Sequence, residues 1–175
     1  MPVLDLDAVR ANFEAFPGGF ETLLMATTGA DGAPHASYAP YLRDGVDFYV
    51  YVSQLAAHTR NLHEQGRVCV FFVEDESEAS SPFARRRATF YCTAQEVPRD
   101  SDGFAPVMDA LAGKFGALVE KTLRHLTDFR LYRLTPHKAA YVAGFGRAFV
   151  IEGEDLDQLR HRSEAGHRDS RKSAP

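Results

Sequence analysis

The chain lacks the signatures that mark the common catalytic machines. It has no GxGxxG, no P-loop, no GxSxG and no HExxH. The glycine-flanked "GFGRAF" at Gly144 is too short for a phosphate loop and opens no helix, so it reads as a bend in a strand. Cysteine is scarce. Cys69 and Cys92 are the two present, both inside apolar, strand-like runs, which excludes a CxxC site or a disulfide framework and fits buried free thiols in a reducing, cytoplasmic setting. Basic residues are outnumbered, 20 Lys and Arg against 24 Asp and Glu, so the basic face of a nucleic-acid binder is not expected. No apolar run approaches the length of a membrane span. The opening "MPVLDLDAVR" carries acidic residues where a signal peptide needs basic ones.

What is present is the composition of a soluble globular domain: 175 residues, 45% of them hydrophobic, enough for one core and short for two. Leu6, Val9, Phe13 and Phe16 recur at helical spacing until "PGG" stops them. "ETLLMATT", "HASYAPYL" and "FYVYVS" are short strands separated by the turn signals "GADGAP" and "RDGVD", an antiparallel meander. "QLAAHTRNLHEQG" is a helix with Leu55, Thr59 and Leu62 on one face and Gly66 as its stop. "RVCVFFVED" reads as a strand buried on both faces, and "RRRATFYCTAQEVP" as a long alternating one. The segment from Ser101 to Leu126 is helical with a break near Gly113 to Gly116. "DFRLYRLTP", "KAAYVAGF" and "GRAFVIEG" read as three further strands, and "EDLDQLRHR" as a closing helical turn. About seven turn-linked strands with small peripheral helices make a mainly β, α+β chain, arranged as a closed antiparallel barrel. Its many apolar strand positions cannot all turn inward, which predicts a homodimer.

Few residues stand out chemically. His58 and His63 are five apart on the predicted helix, so they do not share a face as metal ligands would, although His58 falls near the helix N-terminus, where anions are favoured. In Arg85-Arg86-Arg87, strand alternation turns Arg85 and Arg87 one way and Arg86 the other, leaving open which set meets a ligand. Asp128 opens the strand "DFRLYRL" and by itself needs no role beyond a turn. The polar tail "SEAGHRDSRKSAP" places His167 behind a glycine, in a stretch with no apolar residue larger than alanine.

"TLLMATTGADGAPHASYAPYL", "HTRNL", "VFFVEDESEA", "FARRRATF", "DFRLYRL", "GFGRAF" and "EAGHR" occur together and in this order. In that combination the chain resembles the haem-utilisation HugZ/HutZ family, a branch of the FMN-binding split-barrel fold related to pyridoxamine 5'-phosphate oxidase. The resemblance runs from about residue 22 to 170, and "ASYAP", "FARRR" and the terminal "GHR" are its specific parts. It implies an antiparallel split β-barrel over residues 1–160 followed by a ligand-binding tail over 161–175. It also implies His167 as the axial ligand of haem iron, Asp128 as the hydrogen-bond partner of that histidine, and Arg87 beside the haem as a donor to oxygen. Haem would be cofactor and substrate at once, opened to a biliverdin-like product with release of iron by electrons from an external reductant, at a site shared across a dimer. Two alternatives share the fold: a haem carrier without chemistry, and an FMN oxidoreductase holding its cofactor near His58 and Arg60. Flavin-binding relatives carry lysine where this chain has His58, a poorer grip on phosphate.

Overall fold

A computed structural model describes residues 5–162. Helix α1 (Leu6–Ala15) begins at Asp5, whose carboxylate accepts the Ala8 N–H at 3.0 Å. It buries Val9 and Phe13, while Leu6 stays 44% exposed and Phe16 lies just past its end. Strands β1 (Thr22–Thr28), β2 (Pro34–Asp44) and β3 (Asp47–Ser53) form the expected meander. Helix α2 (Ala57–Gln65), strand β4 (Arg67–Val73) and strand β5 (Arg87–Val97) follow. Helices α3 (Phe104–Phe115) and α4 (Ala117–Lys121) then lead to β6 (Phe129–Val142), β7 (Ala148–Glu152) and β8 (Gln158–His161).

All pairings are antiparallel, in the order β3-β2-β1-β4-β5-β6-β7-β8, and β3 also pairs with β6. That extra pairing closes β3, β2, β1, β4, β5 and β6 into a barrel. Strand β6 belongs to two neighbourhoods: Phe129–Leu134 pair with β3, whereas Ala139–Val142 pair with β7. The barrel is therefore split along β6, and β7 and β8 extend its wall outward. Inside sit Phe13, Tyr41, Phe48, Phe72, Phe90, Tyr141 and Phe149, each no more than 2% exposed. Rings such as Phe48 and Phe90 meet edge to face at 5.0 Å. Leu111, Met108 and Val119 form a smaller cluster with Leu131, covering the outside of β3 and β6 with α3 and α4.

Several boundaries differ from the sequence reading. The described residues form eight strands, because "QLRH" pairs with β7. The expected closing helical turn shrinks to a 3-10 turn at Glu154–Leu156, since Asp155 and Leu156 adopt positive φ (55° and 58°) and cannot propagate a helix. "DFRLYRLTP" and "KAAYVAGF" are one continuous strand. Pro136 stays in register opposite Cys92, and a bulge between Tyr91 and Cys92 of the pairing leaves His137 as the extra residue, so the proline does not end the strand. Leu55 precedes the extended residue Ala56, lies off the helix and is 90% exposed, leaving Thr59, Asn61 and Leu62 as the buried face. Strand β4 is buried on one face only, through Val68, Val70 and Phe72, with Cys69, Phe71 and Val73 partly covered on the other. Among the described residues no helix is long and apolar enough to cross a membrane.

Candidate functional site

Strand alternation decides what the outer wall presents. Ala88, Phe90, Ala139, Tyr141, Phe149 and Ile151 face the core, so Arg87, Thr89, Tyr91, Lys138, Ala140, Val142, Ala148 and Val150 face outward. The register aligns them into rows. Arg87 lies beside Val142 and then Ala148. Thr89 lies beside Ala140, Val150 and Arg160, and Tyr91 beside Lys138. The result is a floor of small, mostly apolar side chains over β5 to β7, with cations along its margins.

A cleft of about 530 Å³ opens over this floor, lined by Tyr91, Lys138, Ala140, Val150, Arg160 and Arg162, with Glu152 and His161 at its side. Glu152 pairs with Lys138 at 2.9 Å and with Arg160. Hydrogen bonds from Lys138, then from Arg160, hold its carboxyl below the usual glutamate range. Arg162 has its backbone tied to the Ala148 carbonyl at 2.8 Å, and its side chain has no ionic partner among the described residues. The cleft thus carries three cations against one carboxylate.

The three consecutive arginines have different fates. Arg85 donates to the Glu74 carbonyl at 2.6 and 2.9 Å and pairs with Glu76 at 3.0 Å. Arg86 pairs with Glu74 at 2.6 Å. The half-buried Arg87 donates to the Arg85 carbonyl at 3.1 Å and has no carboxylate partner among the described residues. It stands at the end of the floor beside Val142.

Asp128 sits in the turn before β6. Its carbonyl accepts the Gln54 N–H at 2.7 Å and its Oδ2 accepts the Ser53 hydroxyl at 3.2 Å, while Oδ1 has no donor among the described residues. Arg99 steadies the approach to this turn by donating to the Arg124 and Leu126 carbonyls at 2.7 and 2.6 Å. Arg87 and Asp128 are not brought together: they flank opposite ends of β6, roughly 45 Å apart along the strand. His167 lies outside the described residues.

On α2, His58 is half-buried, and burial, then the nearby His35, push its pKa down. Arg60 is exposed and turned to another side of the helix, as expected two residues on. The buried residues of "HTRNL" hold the helix to the barrel. Asn61 Nδ2 donates to Thr27 Oγ1 at 3.0 Å and Thr59 Oγ1 donates to the Ser53 carbonyl at 2.6 Å. A phosphate at the N-terminus of α2 would therefore meet His58, an imidazole whose protonation burial disfavours, with Arg60 turned to another side. No cluster of three metal-ligating side chains exists among the described residues. The sequence reading missed Lys138, Arg160 and Arg162. The available signal was that residues 139–142 of β6 and 148–151 of β7 are apolar or small on both faces, with basic residues at their borders.

Residues 9–143 match the family described as Pyridoxamine 5'-phosphate oxidase. Heme oxygenase HutZ of Vibrio cholerae serotype O1 is 40% identical over 148 residues, spanning 85% of this chain and 83% of that protein. A crystal structure of HutZ from Vibrio cholerae, described as a heme storage protein, is similar at a TM-score of 0.67 and 37% identity. That match covers 72% of this chain and 88% of the other. Campylobacter jejuni ChuZ is similar at a TM-score of 0.77 and 28% identity, over 86% of this chain and 61% of that one.

Proposed function

Because this chain belongs to the pyridoxamine 5'-phosphate oxidase family and to its HutZ branch, we propose that it binds haem and opens the porphyrin ring, releasing iron with electrons from an external reductant. The observation that carries this reading is the cleft over β5 to β8. Haem is a flat apolar plate with two carboxylates on one edge. Thr89, Ala140 and Val150 offer a flat floor without bulky side chains, and Lys138, Arg160 and Arg162 offer the opposite charge at its border. His167 follows Arg162 by five residues, a reach of about 17 Å when extended, which is enough to overhang two or three strands of floor.

Within this reading, His167 ligates the iron, and Asp128 Oδ1 accepts the ring N–H of that histidine, setting its tautomer and raising its basicity. Arg87 supplies a guanidinium at the end of the floor as a hydrogen-bond donor. Haem supplies the oxygen activation, and the protein supplies ligand, orientation and access. The domain division follows: a split-barrel unit through about residue 160, and a segment from 161 that carries the ligand.

Asp128 cannot serve the same haem as Arg87 within one chain, so the site is completed by a second copy. The outer wall supports such a partner. Tyr38, Leu24, Phe71, Thr89, Ala140 and Val150 form one row across six strands, and Tyr38 and Leu24 are 66% and 42% exposed. Beyond the haem floor, the apolar stretch of Tyr38, Leu24 and the partly covered Phe71 is suited to be covered by a second copy. The two free cysteines, Cys92 buried and Cys69 partly so, are compatible with a cytoplasmic setting.

The deciding measurement is the absorption spectrum of the haem-loaded protein before and after ascorbate in air. Loss of the haem bands with a biliverdin-like product is expected. The second reading, a haem carrier, draws on the description of the HutZ crystal structure as a heme storage protein, and predicts bound haem whose spectrum persists under reductant and air. Protein that purifies yellow with a flavin spectrum would favour an FMN oxidoreductase instead.

A further inference from the structure

A second polar cavity lies at the end of the barrel beneath α2, away from the cleft over β5 to β8. It measures about 320 Å³ and is lined by Gln54, Thr59, Arg60, His63, Glu96, Arg130 and Tyr132. Helix α2 brings Arg60 and His63, which share a face at i, i+3. Strand β6 brings Arg130 and Tyr132, alternate residues of one face, and β5 brings Glu96 directly opposite Tyr132.

The donors exceed the acceptors. Glu96 lies 3.5 Å from Arg130 and 3.8 Å from His63, so its charge is already answered. Gln54 turns its amide oxygen to the Arg130 guanidinium. Arg60 has no ionic or hydrogen-bonded side-chain partner among the described residues. Tyr132 is the more telling group. It is 2% exposed and lines the cavity, yet its hydroxyl makes no hydrogen bond among the described residues. Burial, then Glu96, push its pKa up to about 12, so it remains a donor at neutral pH. A buried tyrosine ordinarily finds a partner for its hydroxyl. Among the described residues, two guanidinium groups against one carboxylate leave the cavity positive, and both the Arg60 guanidinium and the Tyr132 hydroxyl have donor capacity unfilled.

We propose that this cavity binds a small oxyanion, a phosphate or carboxylate group, contacted by the Arg60 guanidinium and the Tyr132 hydroxyl and faced by Arg130. Planar guanidinium forks suit such groups, and the partly enclosed position weakens competition from water. Its lining shares no residue with the cleft over β5 to β8.

Isothermal titration of the full-length chain with inorganic phosphate, and separately with acetate, tests it. Saturable binding of one anion per chain is expected, and comparing the two arms distinguishes a phosphate from a carboxylate ligand. Arg60→Gln should weaken binding by about tenfold or more, since a charge-assisted contact is lost from an exposed residue that supports nothing else. Tyr132→Phe keeps the ring and should weaken it several-fold, while Lys121→Gln on α4, which removes the same charge elsewhere, should bind as the parent does. Absence of saturable binding by either anion would overturn the proposal, as would undiminished binding in Arg60→Gln. If Tyr132→Phe folds poorly, Arg60→Gln decides alone.

Discussion

If each haem takes His167 from one chain and Asp128 from its partner, two crippled chains should repair each other. His167→Ala and Asp128→Asn chains, each inactive in its own homodimer, would be co-refolded in equal amounts. In a mixed dimer one site combines both defects, and the other inherits an intact His167 from one chain and an intact Asp128 from the other. Random pairing makes half of all dimers mixed, so about a quarter of all sites are restored in a two-fold assembly. The placement of Arg87 and Asp128 at opposite ends of the 14-residue strand β6 sets this expectation, because a rigid paired strand separates them. Changes to the partner of a metal-bound histidine typically cost about 10- to 100-fold, so the Asp128→Asn homodimer should run at a tenth of the parent rate or less. The assay is loss of haem absorbance with ascorbate in air, compared between the mixture and the mean of the two homodimers. Recovery to about a quarter of the parent rate is expected from the mixing statistics. A mixture that merely averages its components, while sizing as a dimer, would refute the shared site.

Other outcomes follow from single contacts. Truncation after Arg162 keeps the β7–β8 pairing and the Arg162 N–H to Ala148 bond, so unfolding free energy should change by less than about 0.5 kcal/mol while tight haem binding disappears. Calorimetry and haem titration read the two separately, and a truncated chain with full haem affinity would remove His167 from the site. His161→Ala should keep haem and cost only about 0.5–1.5 kcal/mol, since His161 packs edge-on against Phe149 at 5.2 Å. Asn61→Ala leaves the buried Thr27 hydroxyl without its donor and should cost about 1–3 kcal/mol in urea unfolding, with no change in haem affinity. Burial and His35 keep the His58 pKa below its unfolded value, so the unfolded chain takes up the proton first as pH falls from about 6.5. Stability should therefore decline as pH drops from there through the folded His58 pKa. His58→Gln should flatten that part of the curve, and an unchanged slope would assign it to other groups.

Much of the barrel is legible because alternation is local. The buried residues of β5, Ala88, Phe90 and Cys92, follow the period of two that the sequence displays, and Gly66 at φ 61° ends α2 where it was expected. The misplaced boundaries have local causes of another kind. Pro136 looks like a strand break, yet it pairs opposite Cys92 within β6, and a bulge at the neighbouring His137 keeps the ladder going. The charged run before His161 looks helical, but Asp155 and Leu156 take positive φ and the chain returns as β8. Neither bulge nor positive φ has a periodic signature.

The sequence alone determined the chemical vocabulary: the types of side chain at Arg87, Asp128 and His167, the meander, the helix that carries "HTRNL", and the motif order that identifies the family. Which arginine of the triplet is left without a carboxylate was settled only by the loop that brings Glu74 and Glu76 back to Arg85 and Arg86. The cleft was equally beyond a one-dimensional reading. Lys138, Val150 and Arg160 are separated by 12 and 10 residues in the chain and meet because β6, β7 and β8 are hydrogen-bonded neighbours in a specific register. Cross-strand neighbours are chosen by long-range pairing, and pairing is fixed by which faces the closed barrel can bury. The separation of Arg87 and Asp128 is likewise a property of the full length of β6, which places them at its opposite ends.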